Sequence, residues 1–109
     1  MPKMMIKASY SSEGAKGLLK EGGTARRAAV QKAVEGLGGK VDAFYYAYGD
    51  ADAYIIVDLP DSTSGIALSL TVNATGAVHV ATIPLISPEE IDQAAKRKPK
   101  SKRSAKSRA

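Results

Sequence analysis

His79 is the single histidine of this 109-residue chain, and it stands in an alternating run, Ala77-Val78-His79-Val80-Ala81-Thr82-Ile83. If Val78 and Val80 point into a core, His79 points to the opposite side of its strand, where an imidazole can accept a proton or ligate a metal or haem. No second His, Cys or acidic ligand motif accompanies it, which is also the setting of an ordinary strand residue. Asp50 and Asp52 lie two apart in Gly49-Asp50-Ala51-Asp52. Two carboxylates can hold a cation or orient a ligand, but no third oxygen donor is near in sequence, and Asp is what a turn uses to cap its own backbone. The turn role is the stronger of the two. Tyr45, Tyr46, Tyr48 and Tyr54 flank the same turn. Such rings line pockets for small apolar ligands and are enriched at protein interfaces; the interface is the favoured use, and the two are compatible.

Other chemistries find no footing. A chain with no cysteine forms no disulfide and has no Cys-ligated zinc, iron–sulfur cluster or thiol nucleophile. Gly36-Leu37-Gly38-Gly39 follows a helix instead of preceding one, so its glycines end structure and present no amides to a phosphate. One histidine fixes no Ser/His/Asp triad. No catalytic residue is assigned beyond His79 as a bare candidate, and no metal or cofactor is expected.

The elements that must position these residues follow from periodicity. Met4, Ile6, Ala8 and Tyr10 share one face of a first strand, with Lys7 and Ser9 opposite. Ser11-Ser12-Glu13-Gly14 breaks it, and Ala15 to Glu21 allows one short helical turn before Gly22-Gly23. Thr24 is the expected N-cap of a helix reaching about Gly36, with Val30, Ala33, Val34 and Leu37 on its buried face and Gly38-Gly39 as its left-handed exit. Two aromatic and β-branched runs around Gly49-Asp50-Ala51-Asp52 predict a hairpin. Asp61 or Ser62 caps a second helix whose expected buried face is Ile66, Ala67, Leu70 and Ala74. Asn73 to Gly76 ends it, and residues 77–83 form the last strand. Ser87-Pro88-Glu89-Glu90 starts a third helix with a capping box and Pro at its first position.

The order strand, helix, strand, strand, helix, strand is that of an α+β, ferredoxin-like βαββαβ fold: a four-stranded antiparallel sheet with two helices on one face. If Ala53, Ile55 and Val57 face the helices, the open face receives Tyr54 and Ile56, joined by Phe44, Tyr46 and Tyr48 or by their neighbours, according to register, and by His79. A patch of that size is unusual on a soluble monomer, so the expectation is two copies packed sheet against sheet.

With these elements in place, the chain resembles the GYD-domain proteins, a small bacterial family named for a Gly-x-Tyr-Asp signature at the hairpin turn. The resemblance covers roughly residues 3 to 92 and rests on Ser-Ser-Glu-Gly at 11–14, Ala33-Val34-Glu35-Gly36-Leu37-Gly38-Gly39-Lys40, Ala43-Phe44-Tyr45, the Gly49-Asp50-Ala51-Asp52 turn and Pro60-Asp61. Gly49 and Asp52 match the signature, and Ala51 stands where the family has Tyr. The resemblance implies the dimeric α/β-barrel type of ferredoxin-like fold and no assigned activity. The function expected is that of an oligomeric domain binding a small molecule or a protein through its sheet-to-sheet interface. The alternative is a small cofactor-poor enzyme, monooxygenase-like or isomerase-like, with His79 in an inter-sheet cavity.

The net charge of +5 conceals a division. Residues 1–95 hold 8 Lys/Arg against 11 Asp/Glu, a net of −3, and residues 96–109 hold 8 Lys/Arg and no acid, a net of +8. The domain is therefore placed at 1–95 and a disordered basic tail at 96–109. Lys96, Arg97, Lys98, Lys100, Lys102, Arg103, Lys106 and Arg108 suit a salt-dependent, non-specific contact with nucleic acid phosphates, and no interleaved aromatic supports sequence reading. The start, Met1-Pro2-Lys3-Met4-Met5-Ile6, has no signal-length apolar stretch, and no segment approaches the roughly 20 apolar residues of a membrane span. A cytoplasmic homodimer or higher homo-oligomer without membrane attachment is the expectation.

Overall fold

A computed structural model describes residues 2–97. Met1 and the tail residues Lys98, Lys100, Lys102, Arg103, Lys106 and Arg108 lie outside the described residues, and with them most of the expected nucleic-acid contact. The elements are β1 (Lys3–Tyr10), α1 (Ser12–Glu21), α2 (Gly23–Gly36), β2 (Lys40–Tyr46), β3 (Ala53–Asp58), α3 (Ser62–Ala74), β4 (Val78–Pro84) and α4 (Pro88–Lys96). The strands form one antiparallel sheet in the order β2-β3-β1-β4, the ferredoxin-like arrangement with β1 and β3 at the centre.

The expected alternation of β1 and β3 sets the core. Met4, Ile6 and Ala8 of β1 and Ala53, Ile55 and Val57 of β3 are buried, and with Val34, Leu59, Leu68 and Val80 they make one cluster between sheet and helices. Their neighbours Met5, Lys7, Tyr54 and Ile56 are half-buried on the other face. Val80 lies on β4, an edge strand whose outward groups are open to chance pairing. Asn73 of α3 closes this point: its Oδ1 accepts from the Val80 N–H (2.7 Å) and its Nδ2 donates to the Val80 carbonyl (3.3 Å).

Four local expectations are corrected. Ser11-Ser12-Glu13-Gly14 starts a full ten-residue helix: the Ser11 hydroxyl accepts from the Gly14 N–H (3.1 Å) and donates to the Ala77 carbonyl (3.1 Å). Ser11 is thus an N-cap, which a run of Ser and Gly also permits. Helix α2 begins one residue before Thr24, from Gly22 at φ +91°, with no side-chain cap. The third correction concerns α3, which buries Gly65 and Leu68 and half-buries Val72, whereas Ile66 and Leu70 are 58% and 67% exposed and Ala74 is exposed. A Cβ at Gly65 would lie 2.6 Å from the Met4 sulfur, so the one residue without a side chain fixes which side of α3 meets the sheet. Lastly, β2 ends at Tyr46, and Ala47 to Asp52 form a six-residue connection closed by Ala47 N–H to Asp52 carbonyl (2.8 Å). Tyr48 lies in that connection, fully exposed, and belongs to neither sheet face.

Asp61 caps α3, accepting from the Ser64 N–H (2.8 Å), and Ser87 and Glu90 form the expected capping box of α4. Both carboxyls are held below their usual range by the capping hydrogen bonds they accept. No residue of α4 is buried. No described helix is long and apolar enough to cross a membrane.

Gly39 meets the sheet backbone even more closely than Gly65 meets Met4: a Cβ there would lie 2.2 Å from the Asp58 carbonyl oxygen. Backbone cannot rotate aside, so Gly39→Ala is expected to destabilise the domain by about 2–3 kcal/mol in urea unfolding. Gly36→Ala, with nothing within 4 Å of the new Cβ, is expected to be neutral or to stabilise by up to about 1 kcal/mol.

Candidate functional site

The open face of the sheet is organised as rows running across the strands. At one end Lys3 pairs with Asp58 in register and Lys40 with the same Asp58, and Asp42 joins them. Next comes an apolar row, Ile83–Met5–Ile56–Ala43, then Ala81–Lys7–Tyr54–Tyr45, and at the far end His79 opposite Ser9. Tyr45 is 72% exposed and Ile83 37%. The register shifts between Val41 and Ala43, so Val41 opposes Val57 on the helix side and Ala43 opposes Ile56 on the open side. Asp42 is the extra residue of this irregularity.

That register decides which aromatics share the face with Tyr54 and Ile56. Tyr45 does, opposite Tyr54. Of the two sets that the register left open, Phe44 and Tyr46 lie on the helix side, opposite Ile55 and Ala53. Their rings meet edge to face at 5.1 Å, and the Tyr46 hydroxyl donates to the Gly23 carbonyl (3.0 Å), tying β2 to the start of α2. Of the predicted ligand or interface residues, the structure therefore brings Tyr54, Ile56 and His79 to the open face, with His79 exposed at its end.

The motif turn serves the fold. Asp52 accepts from the Tyr10 N–H through Oδ2 (2.8 Å), and its own N–H donates to the Ala8 carbonyl (2.8 Å), which clips the connection to the end of β1. Ala51 is 2% exposed, so the position where the family signature has a ring is closed over a methyl group. Asp50 and Gly49 are exposed, and Gly49 is not in the left-handed region. Among the described residues no group of three or more His, Cys, Asp or Glu is placed to hold a metal ion.

On the helix side a cavity of about 300 Å³ separates α2 from α3. Ile6, Ala8, Ile55 and Val80 make its floor; Arg26, Ala29, Val30 and Ala33, one helical stripe of α2, make one wall; Leu68 and Val72 of α3 make the other. Ala29 and Ala33 on the α2 wall leave the gap to Leu68 and Val72 unfilled. A sealed, empty void of that volume would cost about 7 kcal/mol at ~24 cal/mol per Å³, comparable with a small domain's whole stability of about 5–15 kcal/mol. Ala29, Ala33 and Thr71 on its rim are exposed, so the void is open to exchange. At its polar end Arg26 pairs with Glu21 through Nη2 (3.1 Å), and its Nε is buried with no hydrogen-bond acceptor. Beside it the Tyr10 phenol is pushed up to about 12, first by burial and then by Tyr46, with Arg26 acting the other way. The sequence signal for Arg26 is its place four and seven residues before Val30 and Ala33, a cation in line with an apolar stripe. A larger trough of about 510 Å³ lies at the root of α4, but Glu90 there is used in the capping box and Lys3 in the carboxylate cluster.

In that cluster the Lys3 ammonium donates to Asp58 Oδ1 (2.9 Å) and Oδ2 (3.1 Å) and to Asp42. Asp42 is held below 3.8, chiefly by its hydrogen bond from Lys3, and Lys3 is raised above 10.5, chiefly by Asp42 and then Asp58. A lowered carboxyl adds stability that is present above its unfolded value and lost as pH falls through the folded one; a raised ammonium adds stability present below its unfolded value and lost in base. The stability gap between the protein and Lys3→Met is therefore expected to be flat near neutrality and to narrow below pH 3.8 and above pH 10.5, measured by urea unfolding across pH. For the clip, Asp52→Ala is expected to cost about 1–3 kcal/mol by leaving the Tyr10 N–H unpaired, and Asp50→Ala to stay within about 0.5 kcal/mol, both read from urea midpoints.

The GYD domain family matches residues 4–95. No curated protein and no solved structure matches the chain. The match spans all of the sheet but Lys3, α1 to α3, the Asp52 clip and nearly all of α4, and on that extent the chain belongs to the GYD domain family.

Proposed function

We propose that the domain works as a homodimer whose two open sheet faces pack on one another, and that the space between them takes a small molecule or a peptide segment. The supporting observation is the continuous row Ile83–Met5–Ile56–Ala43, bordered by Tyr54 and Tyr45, with both main helices on the opposite side of the sheet. Such a surface meets its own copy through a two-fold axis without a second, different patch. The charged row at its end does not oppose this pairing. Lys3 and Lys40 are matched there by Asp42 and Asp58, so the row is neutral and self-paired. Lys7, and His79 opposite Ser9 at the far end, are the polar groups this face would offer to a ligand held there.

Light scattering on the full chain is expected to give twice the 11.4 kDa chain mass. Ile56→Asp places a charge in the middle of the apolar row and is expected to give the single-chain mass. Ile66→Asp, at an exposed position of α3 on the other side, is expected to keep the double mass. A wild-type protein of single-chain mass, or a dimer broken by Ile66→Asp and not by Ile56→Asp, counts against this interface.

A further inference from the structure

The helix-side cavity lies across the sheet from the face discussed above and is independent of it. We infer that it binds a small amphipathic carboxylate, with the acid at Arg26 and an unbranched or aryl body lying between α2 and α3. The cavity's volume and lining set the body of this ligand. About 300 Å³ is roughly twice the apolar void known to admit benzene, which corresponds to roughly twelve non-hydrogen atoms. The floor is the hydrophobic core itself, so a charged or heavily hydroxylated body finds no partners there.

The polar inventory sets the head. Of the wall hydroxyls, Thr82 donates to Ser69 (3.3 Å), Thr75 donates to the Val72 carbonyl (2.7 Å), and Thr71 is exposed at the rim. Arg26 is the one charged residue of the lining; its Nη2 is paired with Glu21 (3.1 Å), and its Nε is enclosed without an acceptor. A guanidinium presents its terminal nitrogens as a parallel pair of donors, the geometry that a carboxylate accepts in bidentate fashion. Glu21, half exposed, already holds Nη2, so a bound acid takes the terminal nitrogens in competition with Glu21. Tyr10, in the lining near Arg26, stays a neutral phenol at pH 7 and offers an O–H donor. An acid head thus meets a cation and a donor, and an apolar body meets the core residues Ile6, Ala8, Ile55 and Val80.

The test is a titration of the full chain, followed by amide chemical shifts, with four probes of matched size: decanoate, 4-phenylbutyrate, and their alcohols decanol and 4-phenylbutanol. Either acid binding with shifts centred on α2, α3 and Tyr10 is the expected result, and the tighter of the two tells whether the body is a chain or a ring. Arg26→Lys keeps the charge and removes the fork, and is expected to weaken acid binding by about tenfold. Glu21→Gln releases Nη2 and is expected to tighten it. Ala33→Phe fills the gap from the rim and is expected to abolish it. Failure of both acids to bind overturns the inference, as does equal binding of acids and alcohols. Shifts confined to Met5, Tyr54 and Ile56 would assign the ligand to the open face and overturn it as well.

Discussion

The antiparallel register of β1 on β3 is the constraint on which everything else rests. Because side chains alternate along a strand, the pairing of Ile6 with Ile55 and of Met4 with Val57 sends one complete set of apolar residues under the helices. A slip of β1 by one residue would place Lys7 in the core and Ile6 in water. The register is fastened at both ends. At one end Asp52 accepts from the Tyr10 N–H and donates to the Ala8 carbonyl. At the other, Lys3 holds Asp58 directly across from it, a carboxylate that is only 6% exposed and would be costly without its ammonium partner. Hydrophobic burial makes the pairing favourable, and these polar clips make it unique.

From that register both faces acquire their character. The helix side gets the small residues of β1 and β3, Ala8 and Ala53, together with Ala29 and Ala33 of α2, and so a core that closes around Leu59, Val34 and Val57 remains open between α2 and α3. The other side gets Met5, Tyr54 and Ile56, which are too apolar for a sheet surface meant for water alone. The irregularity at Asp42 distributes the aromatics of β2 between the two. Without it, the residues after Val41 would keep one alternation, and Phe44 and Tyr46 would change sides with Tyr45.

The sequence made the strands and their inner residues legible because β1 and β3 alternate cleanly and a period of two admits one solution. The cap at Asp61, the exit at Gly38 and the capping box at Ser87 were equally legible, since each is a short-range rule satisfied by adjacent residues. The buried side of α3 was not. Ile66, Ala67, Leu68, Leu70, Val72 and Ala74 surround the helix with apolar groups, so periodicity has no preferred direction, and the choice came from the Gly65 contact with Met4, which is distant in sequence. The sides taken by Phe44 and Tyr46 depended on one extra residue in β2, which alternation counts cannot detect. Arg26 is not legible because a cation on a helix is ordinarily a solvent residue, and its enclosed Nε exists only once Glu21 of α1 is paired with it.

The stretches that carry the family resemblance turn out to be joints. Ser11 and Gly14 seat α1 against the Ala77 carbonyl, where a Cβ at Gly14 would come within 2.0 Å. Gly39 lets the chain after α2 pass the end of β3, and Asp52 clips the connection to β1. Each is explained by the close approaches and hydrogen bonds it makes in this chain. The groups not used by the fold are the exposed rows around Ile56 and the buried Nε of Arg26. Function in this chain is therefore to be sought away from its signature, at these two places, where the structure holds apolar surface and a hydrogen-bond donor that folding alone leaves uncompensated.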